Sequence, residues 1–276
     1  MFVDINNTVY VSDATSKRIS IWSEGSAFPT RNLSLDVGII FSLFVTIDSD
    51  IFVDNGDHKK RVEKWSLNAT NGTVVMYVNS LCRGLFVDTS NTLYCAMGVS
   101  HLVNKTSLYR GPNATTIAAG NGTSGSAPNM LSYPRGVFVD IAFNLYVADC
   151  GNDRIQLFQP GNLTGATVAG NGATGTISLN CPIGLAVDGD GYLFITDSGN
   201  NRVIGSSVNG FRCIVGCTNT NGSASDQLVL PTALSFDSYG NLFVADTYNQ
   251  RIQKFLLINN ICGKILHGEN RQFVSR

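Results

Sequence analysis

The sequence predicts an all-β fold, a six-bladed β-propeller of four-stranded antiparallel blades. Three observations predict it: one phrase of paired apolar segments recurs six times, its period suits a four-stranded blade, and tight-turn residues separate the segments. A composition of 43% hydrophobic and 14% charged residues disfavours disorder and coiled coil, and 28 Gly suit many short strands joined by turns.

The phrase is clearest as Gly184-Leu185-Ala186-Val187-Asp188, Leu193-Phe194-Ile195-Thr196-Asp197 and then Arg202-Val203. It returns as Gly136 to Asp140, Leu145 to Asp149 and Arg154-Ile155, and again as Ser235-Phe236-Asp237, Leu242 to Asp246 and Arg251-Ile252. In these copies the second Asp follows the first by 9 residues and the Arg follows 5 later. The N-terminal copy keeps that spacing with Asp4, Asp13 and Arg18. The second copy has Thr46 in place of the first Asp and a longer turn before Arg61, and the third has Met97 where the second Asp belongs. First anchors fall at 4, 46, 88, 140, 188 and 237, separations of 42, 42, 52, 48 and 49 residues.

Each unit reads as four strands. Strand a is the Gly-x-x-Val-Asp segment, strand b the Leu-Phe-Val-Ala-Asp segment, strand c alternates as in Arg154 to Phe158, and strand d varies, as in Ala166 to Ala169 or Phe211 to Val215. The a–b connections, such as Asp188-Gly189-Asp190-Gly191, carry hairpin-turn chemistry. A lone blade exposes both faces, so six pack around a ring. Blade six, whose outer strand is expected over 261–266, then abuts a blade one that begins at strand a without a shared strand, unless residues upstream supply one.

These residues resemble the NHL-repeat family, whose pattern pairs an apolar Val-Asp segment with a Tyr-Val-Ala-Asp segment and a following Asn-x-Arg-Ile. The resemblance is strongest over 134–255 and implies one domain over 1–276, with blades starting near 1, 43, 84, 136, 184 and 233 and a central channel. The regular acids and guanidiniums, Asp13 with Arg18, Asp149 with Arg154, Asp197 with Arg202 and Asp246 with Arg251, are read as pairs that fix the b–c turns, since repeats share scaffold and differ at their sites.

Chemistry is sparse. The three His (His58, His101 and His267) lie in two b–c turns and the C-terminal tail, and none of the three Glu lies in a strand a. No Ser/His/Asp or Cys/His constellation stands out, and no catalytic residue, metal or cofactor is expected. Asp188 to Gly191 resembles the start of a calcium loop, but Gly199 stands where the twelfth-position acid belongs. Some six-bladed relatives are metal-dependent enzymes, amidating-lyase-like or lactonase-like, which use the central channel; that is the alternative reading. NHL domains of tripartite-motif ubiquitin ligases bind RNA or protein, a second alternative. Net charge is −1, and five of the 19 basic residues are the turn arginines, so nucleic acid is disfavoured.

The preferred reading is a binding scaffold for protein, peptide or glycan. In a propeller the d–a and b–c connections share one face, here termed the top, where ligands usually bind at the channel mouth. Arg83 and Arg135 each precede the strand-a Gly of blades three and four, and the turn residues Asn152, Asp153, Asn200, Asn201, Tyr248 and Asn249 join them on that face.

An extracellular or cell-surface setting is expected, with any export signal upstream of the chain shown. Asn-x-Ser/Thr sequons begin at nine positions, of which Asn6, Asn68, Asn71, Asn113 and Asn162 fall in a–b or c–d connections, on the opposite face. No apolar run is long enough to cross a bilayer. Seven Cys suit an oxidising compartment: Cys82 with Cys95, Cys150 with Cys181, and Cys213 with Cys217 are candidate pairs, with Cys262 competing for either of the last two.

Overall fold

Short alternating segments punctuated by Asp, Asn and Gly turns form six four-stranded antiparallel sheets, each built from consecutive strands. The computed structural model describes residues 1–276 except 14, 15, 56, 57, 219, 261, 262 and 274–276, with backbone alone over 257–260 and 263–273. The inner strands a are Phe2–Val3, Leu43–Val45, Cys82–Val87, Pro134–Val139, Pro182–Val187 and Pro231–Phe236. Each pairs with its own strand b, then c, then d, and consecutive strands a neighbour one another around the ring.

The first Asp of each repeat makes the a–b hairpin. Asp188 Oδ1 accepts the backbone N–H groups of Asp190 at 3.0 Å and Tyr192 at 2.9 Å. Asp4, Asp88, Asp140 and Asp237 accept from residues two and four later in the same way. In blade two the Thr46 hydroxyl substitutes, accepting the Asp50 N–H at 3.3 Å. A carboxylate two residues upstream imitates a backbone turn, so the Val-Asp signature is turn chemistry.

The core is divided among the blade junctions. Leu145 and Val147 of one strand b pack with Tyr94, Ala96 and Val103 of blade three, while Ala148 of the same strand packs with Leu193, Ile195 and Ile204 of blade five. Side chains alternate across the sheet, so each strand serves two junctions. The ring closes through one more such layer: Val3, Val9 and Trp22 of blade one against Phe243, Ala245 and Ile252 of blade six. Among the described residues no strand is shared at this seam, and it is crossed by hydrogen bonds from Val3 N–H to Ser235 Oγ at 3.2 Å and from Ser238 N–H to Asn7 Oδ1 at 2.8 Å.

Inner strands approach closely where the repeat has Gly. A Cβ on Gly136 would strike the Ile183 carbonyl oxygen, and one on Gly84 the Arg135 carbonyl oxygen. The outer strand of blade six runs over Gly263–Phe273, longer than the expected 261–266, and pairs with an equally extended strand c, Arg251–Asn260. Ile261 and Cys262 lie outside the described residues.

Among the described residues three disulfides form, Cys82–Cys95, Cys150–Cys181 and Cys213–Cys217, with Cα separations of 5.2, 4.0 and 5.7 Å. The first ties two strands of one blade, and the second ties the b–c turn of blade four to the entry of blade five. Its Cα atoms sit closer than the usual range of about 4.4–6.8 Å, with Cys181 on a positive φ of 44°.

Candidate binding face at the channel mouth

The b–c turns of blades four to six are single 3-10 turns, Cys150–Asn152, Ser198–Asn200 and Thr247–Asn249, each followed by a residue at φ 54°. An acid at the end of strand b gathers each turn. Asp149 Oδ1 accepts the Ser132 N–H at 2.6 Å, while Oδ2 accepts Asn152 Nδ2 and Arg154 Nε, both at 2.7 Å. Asp197 and Asp246 repeat the arrangement with Asn200 and Arg202, and with Asn249 and Arg251. All three carboxylates are fully buried. Burial pushes the Asp149 pKa up, against the hydrogen bonds from Asn152 and Ser132 and the Arg154 charge. Each guanidinium also donates outward: Arg251 reaches the carbonyls of Ser223, Ala224 and Gln227 at 2.7 to 3.0 Å.

In blade one, Arg18 stands 3.5 Å from Asp13, with both side chains part-exposed. In blade two, Asn55 faces Arg61 in the strand register and Glu63 supplies the carboxylate, 2.7 Å from Arg61 Nε. Asn55 lies 9 residues after Thr46, so the repeat's own spacing marks it.

The positive-φ residue has a second role. Asp153 Oδ1 accepts the N–H of Cys181 at 2.8 Å, and Asn201 Oδ1 accepts the N–H of Leu230 at 2.8 Å. At the same position of blade three, His101 Nδ1 accepts the N–H of Tyr133 at 3.2 Å. The structure therefore gives Asn152, Asn200, Asn249, Asp153 and Asn201 defined work in holding turns and blades. Tyr248 is the one turn residue of the predicted set that stands well out, 70% exposed.

Arg83 and Arg135 come together. Arg83 lines a central cavity of about 290 Å³, and its guanidinium carbon lies 4.1 Å from the centre of the Phe41 ring. Burial, and then the neighbouring Arg83 charge, hold the Arg135 pKa below its usual value. Arg135 Nε is buried without a hydrogen-bond partner among the described residues. Ile183 and Thr232 occupy the equivalent positions of blades five and six at the cavity wall.

Below the mouth, aromatic rings line part of the channel beside Ser42 and Ser235. Phe2, Phe44, Phe86 and Phe138 sit at one repeat position and touch in sequence, with centroids 4.9, 5.0 and 5.0 Å apart. Among the described residues, no Asp, Glu or His lines the cavity and no group of three His, Cys, Asp or Glu is arranged to hold a metal. The His267 side chain lies outside the described residues.

The NHL-repeat model matches residues 179–205 and 228–255, the fifth and sixth repeats, within six blades of one architecture. The chain is a six-bladed propeller that carries NHL repeats. No curated protein matches this NHL propeller by sequence. Among solved structures it is similar to a structural genomics protein of unknown function from Bacteroides thetaiotaomicron VPI-5482, with a TM-score of 0.69 and 14% identity over 90% of this chain. It spans 66% of that protein's length. It is also similar to virginiamycin B lyase from Staphylococcus aureus, with a TM-score of 0.63 and 12% identity over 97% of this chain and 82% of the lyase. A streptogramin B lyase gives a TM-score of 0.62 and 14% identity over 100% of this chain and 82% of that one. At these identities the likeness is one of fold.

Proposed function

We propose that this NHL propeller is a non-catalytic binding scaffold, extracellular or at the cell surface, that engages a protein, peptide or glycan through its top face. The observation that carries the reading is Arg83 in the wall of a central cavity lined by six phenylalanines, with the Arg135 charge near enough to interact with it. A concave site that sets a guanidinium over an aromatic ring suits a ligand with both polar and apolar parts. Tyr248 adds an exposed aromatic on the same face.

Three disulfides accord with an oxidising compartment. Among the described residues, no helix is long and apolar enough to cross a membrane. Asn6, Asn68, Asn71, Asn113 and Asn162 are all exposed, and glycans on them would leave the top face open. Asn121 and Asn221, in d–a connections, are exposed too, so site-resolved glycan mapping that finds those two heavily occupied counts against this orientation.

The alternative is a lyase like the streptogramin and virginiamycin B enzymes, and the shared fold is what favours it. The side chains available in the channel favour binding: Phe, Leu, Val and Ile dominate, and Arg83 is the only charged side chain among the described residues of the cavity wall. The test is a pull-down with the oxidised domain, comparing wild type with the Arg83→Ala/Arg135→Ala variant. Ligand recovered by wild type and lost by the variant supports the reading, and equal recovery removes the site.

A further inference from the structure

One repeat position decides what faces the channel. The residue two places before the first anchor is Phe2, Phe44, Phe86 and Phe138 in blades one to four, but Ala186 in blade five and Ser235 in blade six. All six line the central cavity of about 290 Å³. The four rings meet in sequence, with planes 62°, 57° and 61° apart. Such tilted contacts are the ones that ring quadrupoles favour. At Ala186 the series stops, with a methyl where the preceding blade has a phenyl.

The neighbours of Ala186 stay open to the channel. Leu85 and Val87, and Val137 and Val139, flank the phenylalanines of blades three and four and are buried, at 4 to 7% exposed. Leu185 and Val187, which flank Ala186, are half-buried, and both line the cavity. Phe236 of blade six lines it too. A dry apolar cavity of about 150 Å³ admits benzene, so the space here suffices for an aromatic ring with a short substituent.

Ser235 supplies a polar contact one blade further on. Its Oγ accepts the Val3 N–H at 3.2 Å, which leaves the hydroxyl hydrogen to donate. A saturated ligand would forgo the edge-to-face contact with Phe138, and an aryl hydrocarbon would give the hydroxyl no acceptor.

We infer that the channel is a binding site for a small aryl ligand with a hydrogen-bond acceptor next to its ring, such as an aryl ketone. The ring lies beside Phe138, over Ala186 and against Leu185 and Val187, and the acceptor takes the Ser235 hydroxyl hydrogen. The inference does not rest on the top-face reading, since Arg83 and Arg135 take no part in it. A pull-down that is indifferent to those arginines leaves this site standing, and failure of this site leaves that reading standing.

The test uses the full chain with its disulfides intact and calorimetry or ligand-observed NMR. The probes are acetophenone, ethylbenzene, which lacks the acceptor, and cyclohexyl methyl ketone, which lacks the aromatic ring. Acetophenone should bind, and each of the others at least threefold more weakly. Ala186→Phe, which supplies the fifth ring from the protein itself, should weaken acetophenone at least tenfold, and Ala186→Leu should weaken it less. Melting curves establish that each variant is folded, and the leucine variant alone decides the matter if the phenylalanine variant is not. Ser235→Ala should erase the preference for acetophenone over ethylbenzene while ethylbenzene itself binds as before, a ratio that a general loss of packing would not move. Acetophenone that fails to bind at millimolar concentration, or that binds the folded Ala186 variants as tightly as wild type, overturns the site. Cyclohexyl methyl ketone binding as tightly as acetophenone overturns the aromatic assignment, and a preference unchanged in Ser235→Ala overturns the role of the hydroxyl.

Discussion

The Asp153 carboxylate accepts the backbone N–H of Cys181 at 2.8 Å, across the junction between blades four and five. Asp153 can do this because it sits at φ 54°, the left-handed turn that hands the chain from strand b to strand c and points the residue at the next blade's entry. Asn201 and His101 hold the same place in their blades, so one turn conformation supplies a repeated staple between neighbours.

Removing a staple strands a backbone donor. Asp153→Ala and Asn201→Ala should each destabilise by about 1–3 kcal/mol. Gln250→Ala, at the equivalent and exposed position of blade six, should stay within about 0.5 kcal/mol. Denaturant unfolding of the oxidised protein measures all three.

The turn arginines should rank by what they hold. Arg251 bonds Asp246 and three carbonyls with its side chain 4% exposed, whereas Arg202 bonds Asp197 and the Ser178 carbonyl with 15% exposed. Arg251→Ala leaves a buried carboxylate without its cation and should cost about 3–5 kcal/mol. Arg202→Ala should cost less, and Lys should rescue neither fully, because the fork geometry is lost. Thermal melts of the four variants decide the order.

Two glycines make a matched pair for the packing of the ring. Gly136→Ala should destabilise by about 1–3 kcal/mol, because its Cβ meets the Ile183 carbonyl of the next inner strand. Gly189→Ala, where a Cβ meets nothing within 4 Å, should be neutral or stabilising by up to about 1 kcal/mol. Equal effects would contradict the close approach of inner strands.

Alkaline pH should loosen the hairpin of blade one. Burial, with the Asp4 charge and the hydrogen bond to Asp4, pushes the Tyr10 phenol up to about 12. An unfolded tyrosine ionises near about 10, so the folded state holds this proton more tightly. Its stabilising contribution is complete below about pH 10 and is lost as pH rises through about 12. Stability should therefore fall more steeply between these values in wild type than in Tyr10→Phe, as read by denaturant midpoints.

The fold was readable because strict spacing of Asp, Asp and Arg survives in four repeats, and each anchor has a local job within its own turn. The seam was left open by the sequence, and among the described residues blades one and six pack without a shared strand. What the sequence concealed lies between blades. Asp153 and Asn201 look like solvated turn residues until the partner amide, 28 or 29 positions away, is brought beside them. Asn152 and Asn249 look equally free, yet each spends its amide on an acid and on a carbonyl of the preceding d–a connection. Phe2, Phe44, Phe86 and Phe138 each stand two residues before the first anchor of their repeat, and the contacts among their rings needed the ring's curvature to appear.

Amide hydrogen exchange with captured ligand tests the top-face account most directly. Protection should rise in the segments around 80–84, 132–136 and 247–250 and leave the a–b turns near 5, 47 and 141 unchanged. Protection confined to those a–b turns would contradict it.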